Sequence, residues 1–387
     1  MPSDVIDKII KILGKGTHQL HEPFFHLKEW KYVKKTLDDN YVSTAGPFVK
    51  KFEDKLKKYT KSKYVISTSS GTSALHLSLV VNGVKRDDEV LVPTITFAAT
   101  ANAVMYLGAK PHFVDSEFET LGIDHKKLDI YLKKITKKKG KYFFNKKTNK
   151  RLKAIIPVHV FGNICKIDKL IEIAKKYNLS VIEDATEALG SFYKKKHAGT
   201  FGSIGCISFN GNKIITTGAG GALLTNNRNL AKKIKHLSTT AKIKHKWEFI
   251  HNEVGFNYRM PSINAALGLA QLENLKKILI SKKKLYLKYY KFLNKSKKYT
   301  IIKNPPNSSS NNWLNTLFLK KPSLKLRNKI LLMAYKKKIF LRPVWKPLHT
   351  LKHFRKMPKM NLENSIVIYK SCISLPSSAA YQLQKNL

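Results

Sequence analysis

Lys213 stands in the stretch Ser208-Phe209-Asn210-Gly211-Asn212-Lys213-Ile214-Ile215-Thr216-Thr217-Gly218-Ala219-Gly220-Gly221, between a short apolar run, Ile204 to Phe209, and a cluster of small residues. A lysine held in a tight turn of small residues is placed to lose hydration and become a nucleophilic amine, the chemistry of a Schiff base with an aldehyde cofactor. Most lysines of this chain are solvated surface charges. What lifts Lys213 is the set of chemical stations that accompany it along the sequence.

The first station is Ser69-Ser70-Gly71-Thr72-Ser73-Ala74-Leu75, directly after a strand and opening a helix. Its glycine permits close backbone approach, and a helix N-terminus offers free N–H groups and a positive dipole end to a phosphate. An ordinary Ser or Thr helix cap is the competing reading. The second is Glu183-Asp184 at the end of Val181-Ile182, with Glu187 three residues on. A carboxylate there can pair with a protonated ring nitrogen, or merely cap a helix. The third is the lysine stretch itself, where Ser208 can hydrogen-bond a phosphate. The fourth, Asn252-Glu253-Val254-Gly255-Phe256-Asn257-Tyr258-Arg259-Met260-Pro261, crowds polar groups before a long helix, as a subunit contact, a site wall or a plain helix-entry loop. Phe97, in Thr94-Ile95-Thr96-Phe97, supplies an aromatic face that can stack on a planar ring. Phosphate cup, aromatic, carboxylate and lysine in this order are more specific than any one of them.

The elements that must position these stations alternate between strand and helix. Strands are expected at Tyr64–Ser67, Glu89–Val92, Pro111–Val114, Ala154–Val158 and Ser180–Asp184. Helices are expected at Gly71–Val81, about Ala98–Leu107 and Asp168–Tyr177. Such alternation implies a sheet covered by helices on both faces, with ligands at the C-terminal ends of its strands. After Pro261, Ile263, Leu267, Ala270, Gln271 and Leu275 have helical spacing that continues toward Tyr290. Asn304 to Ser310 reads as a loop. Lys133 to Lys153 reads as a polar hairpin insertion around Tyr142-Phe143-Phe144.

The chain has 387 residues, 43% of them hydrophobic, enough for two domains. We place the division at 1–265, including an N-terminal arm over 1–40, and 266–387. No apolar run is long enough to span a membrane. The start, Met1-Pro2-Ser3-Asp4, lacks a signal-peptide pattern. Three scattered cysteines argue against a disulfide framework or a zinc site, and a cytoplasmic setting follows. No metal is expected. The net charge of +48 raises nucleic-acid binding. But lysine is spread along the whole chain with abundant Asn and Ile, and no nucleic-acid motif accompanies it. Attraction of an anionic small substrate is the milder reading.

On these motifs the chain resembles the DegT/DnrJ/EryC1/StrS family of pyridoxal-phosphate (PLP)-dependent sugar aminotransferases, from Tyr41-Val42-Ser43-Thr44-Ala45-Gly46-Pro47 to Arg342-Pro343-Val344-Trp345. Val181 to Tyr193, Glu253 to Met260 and the Asn145-Lys146-Lys147-Thr148-Asn149 insertion look most like the LegC branch, whose members aminate C4 of a UDP-linked 4-keto-6-deoxy-N-acetylhexosamine. The resemblance implies PLP-dependent transferase fold type I, aspartate aminotransferase-like. Its large domain has a central, mostly parallel sheet between helices, and a smaller C-terminal α/β domain follows. It implies that Lys213 holds PLP covalently and that Asp184 keeps the pyridine nitrogen protonated. Gly71, Thr72 and Ser208 would bind the phosphate and Phe97 would lie against the ring. Asn257 would reach the phosphate from the neighbouring subunit of a homodimer with shared active sites. Glu187 stands where the family often has Gln or His. Arg259, Trp345 and His349 are sugar-side candidates. L-Glutamate is the implied amino donor, leaving the pyridoxamine form (PMP), with a nucleotide-linked 4-keto-6-deoxy sugar as acceptor. A GDP-perosamine synthase-type substrate is the nearest alternative. Related sugar dehydratases carry histidine where this chain has Lys213, which favours transamination. Two departures stand out: Ala219 replaces the acid of a common Thr-Gly-Glu-Gly-Gly stretch, and a final helix common in the family is expected to be missing after Ser378.

Overall fold

The computed structural model describes residues 2–383. Its helices are α1 (Pro2–Leu13), α2 (Leu27–Asp38), α3 (Pro47–Thr60), α4 (Gly71–Val81), α5 (Ala98–Met105), α6 (His125–Ile135), α7 (Ile167–Lys176), α8 (Arg228–Ser238), α9 (Ser262–Leu293), α10 (Leu324–Lys336), α11 (Glu363–Ser371) and the single turn α12 (Ala380–Leu383). The strands between them build one nine-stranded sheet. Its main path runs Tyr64–Thr68, Gly221–Thr225, Ile204–Ser208, Ser180–Asp184, Arg151–Ile155, Glu89–Pro93, Lys110–Val114. From Ile204–Ser208 to Lys110–Val114 every pairing is parallel. Gly221–Thr225 lies antiparallel to both of its neighbours. Glu89–Pro93 and Ile204–Ser208 are buried at every position, as expected for strands covered on both faces. The chain therefore has a mixed α/β fold around a mostly parallel sheet.

The lysine-rich insertion is a hairpin, Thr136–Lys139 with Tyr142–Asn145, continuing the sheet beside Arg151–Ile155. That strand starts three residues earlier than the apolar run suggests, because Arg151 and Leu152 pair with the hairpin's Phe144 and Phe143. Two other expectations need correction. Ser308–Ser309, within the expected loop, pair with Phe192–Tyr193 as a short strand. The final helix expected to be missing after Ser378 is present as the one turn α12, whose Tyr381 hydroxyl donates to the Gln19 carbonyl at 2.9 Å.

A second apolar core forms beside the first. The antiparallel strands Tyr299–Ile301, Asn315–Leu319, Cys372–Leu375 and Arg342–Pro343 pack Leu317, Leu319 and Ile373 against Leu285 and Tyr289 of α9. Val5, Ile6, Ile9 and Ile12, one face of the amphipathic α1, complete that core. The first residues of the chain thus pack with its last hundred.

Candidate active site

Three of the four stations converge because the loops that carry them leave the same edge of the main sheet. Ser69–Gly71 follow the Tyr64–Thr68 strand, Asp184 ends its own strand, and Ser208 ends Ile204–Ser208. Ser70, Gly71, Asp184 and Ser208, together with Thr96, Phe97 and Thr100, line a cavity of about 940 Å³. Lys213, Glu187, Phe161, Trp313, Arg342 and Trp345 form other parts of its lining.

At its floor, Ser70 caps the start of α4, its hydroxyl accepting the Ser73 N–H at 3.0 Å. The next two amides are free: among the described residues neither the Gly71 nor the Thr72 N–H finds an acceptor. A Cβ on Gly71 would sit 2.8 Å from the Ser208 Cβ, so only glycine lets helix and serine share this corner. Free amides, a hydroxyl and the positive end of a helix make a phosphate cradle.

Asp184 is buried. Its Oδ2 accepts the Thr100 hydroxyl at 2.7 Å, and its Oδ1 accepts the Thr186 hydroxyl at 2.7 Å and the Thr186 N–H at 3.2 Å. The neighbouring Glu183 belongs to a different environment. Its carboxylate is shut away beneath the floor, paired with the His159 ring at 3.0 Å and accepting the N–H groups of Gly199, Phe201 and Gly202. Burial raises its pKa, but the His159 ring and the amides outweigh that and hold it below the usual value. Glu187 goes the other way. Burial pushes its carboxyl up to about 7, against the pull of the Lys213 amine and the Phe161 N–H.

Lys213 Nζ lies 3.5 Å from Glu187 Oε1 and 4.0 Å from the centroid of the Trp313 ring. Trp313 is fixed in turn by its indole N–H, which donates to the Asn212 carbonyl at 2.7 Å. Phe161 holds Glu187 from the opposite side, donating its N–H to Oε2 at 2.8 Å. This phenylalanine has φ 56° and ψ 20°, a left-handed conformation that a bulky residue adopts only when its surroundings impose it. The next residue, Gly162, has φ 91°, and a Cβ there would collide with the Asn311 side chain. Phe161 then meets the Trp345 ring at a tilt of 34°, 4.8 Å between centroids.

The residues read from sequence do not all meet. Lys213, Asp184, Glu187, Gly71, Thr72, Ser208, Phe97 and Trp345 line the cavity. Asn257 and Arg259 are exposed outside its lining, bridged to Thr239 and Thr68. His349 is also outside, with its Nδ1 2.8 Å from the Thr94 hydroxyl. Residues that the sequence reading passed over are Phe161, Trp313, Arg342, Asn212, Gln19, Leu20, His21 and Glu22. A left-handed Phe-Gly step after a strand is a weak local signal; the others carry none. Among the described residues no cluster of His, Cys, Asp or Glu suits a metal ion, no helix is long and apolar enough to cross a membrane, and the three cysteines are buried and free.

Residues 26–385 match the sequence profile of the DegT/DnrJ/EryC1/StrS aminotransferase family. The chain is 37% identical to a GDP-perosamine synthase of Escherichia coli O157:H7, over 86% of this chain and 85% of that one. It is 33% identical to a UDP-4-amino-4,6-dideoxy-N-acetyl-beta-L-altrosamine transaminase of Campylobacter jejuni, over 89% and 88%. Its fold superposes on Helicobacter pylori PseC, an aminotransferase involved in the biosynthesis of pseudoaminic acid, with a TM-score of 0.85 at 26% identity, covering 95% of this chain and 96% of that one. The relatives span GDP- and UDP-sugar enzymes, so they do not single out the LegC branch.

Proposed function

The chain belongs to the DegT/DnrJ/EryC1/StrS aminotransferase family, and from that premise we propose that it carries an amino group from L-glutamate to C4 of a UDP-linked 4-keto-6-deoxy-N-acetylhexosamine, for surface-glycan or nonulosonic acid biosynthesis. That it is a PLP-dependent aminotransferase of nucleotide sugars follows from the family and the relatives. The observation that carries the site reading is a selection of cations. The sequence holds 73 lysines and arginines, yet among the described residues Lys213 and Arg342 are the two that line the cavity.

Pyridoxal phosphate, when bound, supplies an electron sink for the carbon that loses its proton. The chain supplies placement and proton control. The Gly71 and Thr72 amides and the Ser208 hydroxyl would hold the phosphate. Asp184, fixed by its three donors, would keep the ring nitrogen protonated. Phe97 would cover a ring face. Lys213 would anchor the cofactor and, once its amine is released, carry the proton away from the donor's α-carbon and back to the acceptor in the second half-reaction. Glu187, beside that amine and shifted to about 7, can take up or give a proton at neutral pH. Arg342 is exposed on the cavity's rim and suits the pyrophosphate of a nucleotide sugar.

Asn257 and Arg259, outside their own cavity, belong in this proposal to the site of a second copy, Asn257 at the phosphate and Arg259 at the sugar. Exposed Trp247, Phe249 and Val254 lie in the preceding segment, as an interface between copies requires. A homodimer in the cytoplasm, and a cofactor domain over 1–265 with a smaller domain over 266–387 to whose core α1 of the N-terminal arm adds one face, complete the proposal.

The test is a panel of UDP-, GDP- and dTDP-linked 4-keto-6-deoxy sugars with L-glutamate, read by product mass. A UDP-linked 4-amino product is expected. The 37% identity to a GDP-perosamine synthase favours a second reading, and exclusive turnover of the GDP sugar would establish it in place of the first. Failure of glutamate to convert the cofactor to its amine form would point instead to dehydratase chemistry.

A further inference from the structure

The cavity has a wall outside the family-matched region. Gln19, Leu20, His21 and Glu22 line it, although the family match begins at residue 26. This segment is tied in place. The His18 N–H donates to the Lys338 carbonyl at 2.9 Å, and the His18 carbonyl accepts the Phe340 N–H at 2.8 Å. The Leu20 carbonyl accepts the Ser377 N–H at 2.7 Å, and the Glu22 N–H donates to the Ser378 hydroxyl at 2.8 Å. These bonds, with the burial of α1 in the second core, hold the segment against the cavity that Lys213 also lines.

His21 is the member of this wall that the fold does not use. Both ring nitrogens are shielded from solvent, and neither has a hydrogen-bond partner among the described residues. Buried polar atoms are rarely left so. The ring lies 6.4 Å from that of Trp313, which carries Lys213 Nζ on its face. The Asn212 carbonyl, which accepts the Trp313 indole N–H, lies beside the ring and keeps a second lone pair. Behind the wall stands the fully buried Lys282, whose Nζ donates to the Trp313 carbonyl at 3.2 Å and to the Ser377 carbonyl. Its amine fixes both Trp313 and the 377 loop on which Leu20 hangs.

Resting on the nucleotide-sugar reading above, we propose that His21 is a specificity residue, its imidazole hydrogen-bonding an uncharged group of the sugar, a hydroxyl or an acetamido group, in the second half-reaction. Burial, with the charges of Lys282 and Lys213 adding to it, holds the ring well below the usual histidine pKa and hence neutral. A neutral imidazole offers one N–H and one lone pair, which match a hydroxyl or an amide. A carboxylate or pyrophosphate is better served by Arg342.

The two half-reactions of the holoenzyme separate the outcomes, each followed by cofactor absorbance in a stopped flow. The first uses L-glutamate; the second uses UDP-4-keto-6-deoxy-N-acetylglucosamine, or whichever nucleotide sugar the wild type turns over. His21→Leu is expected to leave the glutamate half-reaction within about twofold and to lower kcat/KM of the sugar half-reaction about 10- to 100-fold, the size of a buried hydrogen bond lost to substrate. His21→Gln should recover part of that loss. The intact glutamate half-reaction reports a folded, cofactor-loaded variant in the same experiment. Equal losses in both half-reactions, a loss confined to glutamate, or no loss in the sugar step would overturn the proposal. Failure of the wild type with every UDP sugar would sink the substrate reading alone, since the His21 comparison then runs on the accepted sugar.

Discussion

The floor of the cavity and its wall are built by different means. The floor comes from strand ends: Gly71, Asp184 and Ser208 each sit within a residue or a few of the sheet edge that positions them. The wall comes from distant pieces of chain. Residues 18–22 are stitched to 338–340 and 377–381, and Trp313 is pinned to Asn212 and Lys282. On the proposed reading, the floor holds the groups that cofactor chemistry needs, and the wall holds the groups that tell one sugar from another. The contrast teaches that floor and wall can vary separately, because each rests on a different set of contacts.

The largest expected effect lies on the floor. Lys213→Ala should lower both half-reactions by more than about 10⁴-fold. Borohydride reduction of wild-type holoenzyme followed by peptide mapping should place the adduct at that lysine. A variant that still converts glutamate would erase the distinction between floor and wall.

A smaller effect, about 3 kcal/mol at most, tests the linkage at Glu187. A carboxyl raised to about 7 in the fold binds its proton more tightly than in the unfolded chain. The contribution of Glu187 to the stability of the cofactor-free protein is therefore fully present below about pH 4.5 and is lost as pH rises through about 7, where the native carboxyl loses its proton. Glu187→Gln should remove that decline. Parallel slopes for the two proteins in urea unfolding from pH 5 to 8 would show that the floor does not hold this proton.

The smallest effect lies on the wall. Arg342→Gln should raise KM for the nucleotide sugar about 10- to 30-fold and leave kcat within about threefold, since it removes binding shared by ground and transition states. A fall in kcat instead would move Arg342 to the chemistry.

The same contrast explains what the sequence made legible. Ser70-Gly71-Thr72 and the small residues Ala219 and Gly220 near Lys213 are local signals, and the structure places them on the cavity lining because turn chemistry and strand ends are local. Glu183 and Asp184 form one station in the sequence, yet the alternation of a strand sends adjacent side chains to opposite faces, and only Asp184 lines the cavity. His21, Trp313 and Arg342 gave no signal, because their places depend on contacts across a hundred residues or more. Arg259 and His349 drew attention as polar groups near turns, and their own chain keeps both off the cavity lining. The 304–310 loop was read from its Pro and Ser content, which gave no hint of the partner strand at Phe192–Tyr193.

An outer coat so rich in amines has a practical consequence for anyone who loads this protein with coenzyme. Free aldehyde will decorate exposed lysines by mass action, and yellow colour in a mixture with excess coenzyme will overstate occupancy. Those stray adducts have no phosphate cup or facing acid to retain them, and they hydrolyse when the excess is removed. Occupancy should therefore be counted after exhaustive gel filtration, when only the adduct gripped at both ends survives.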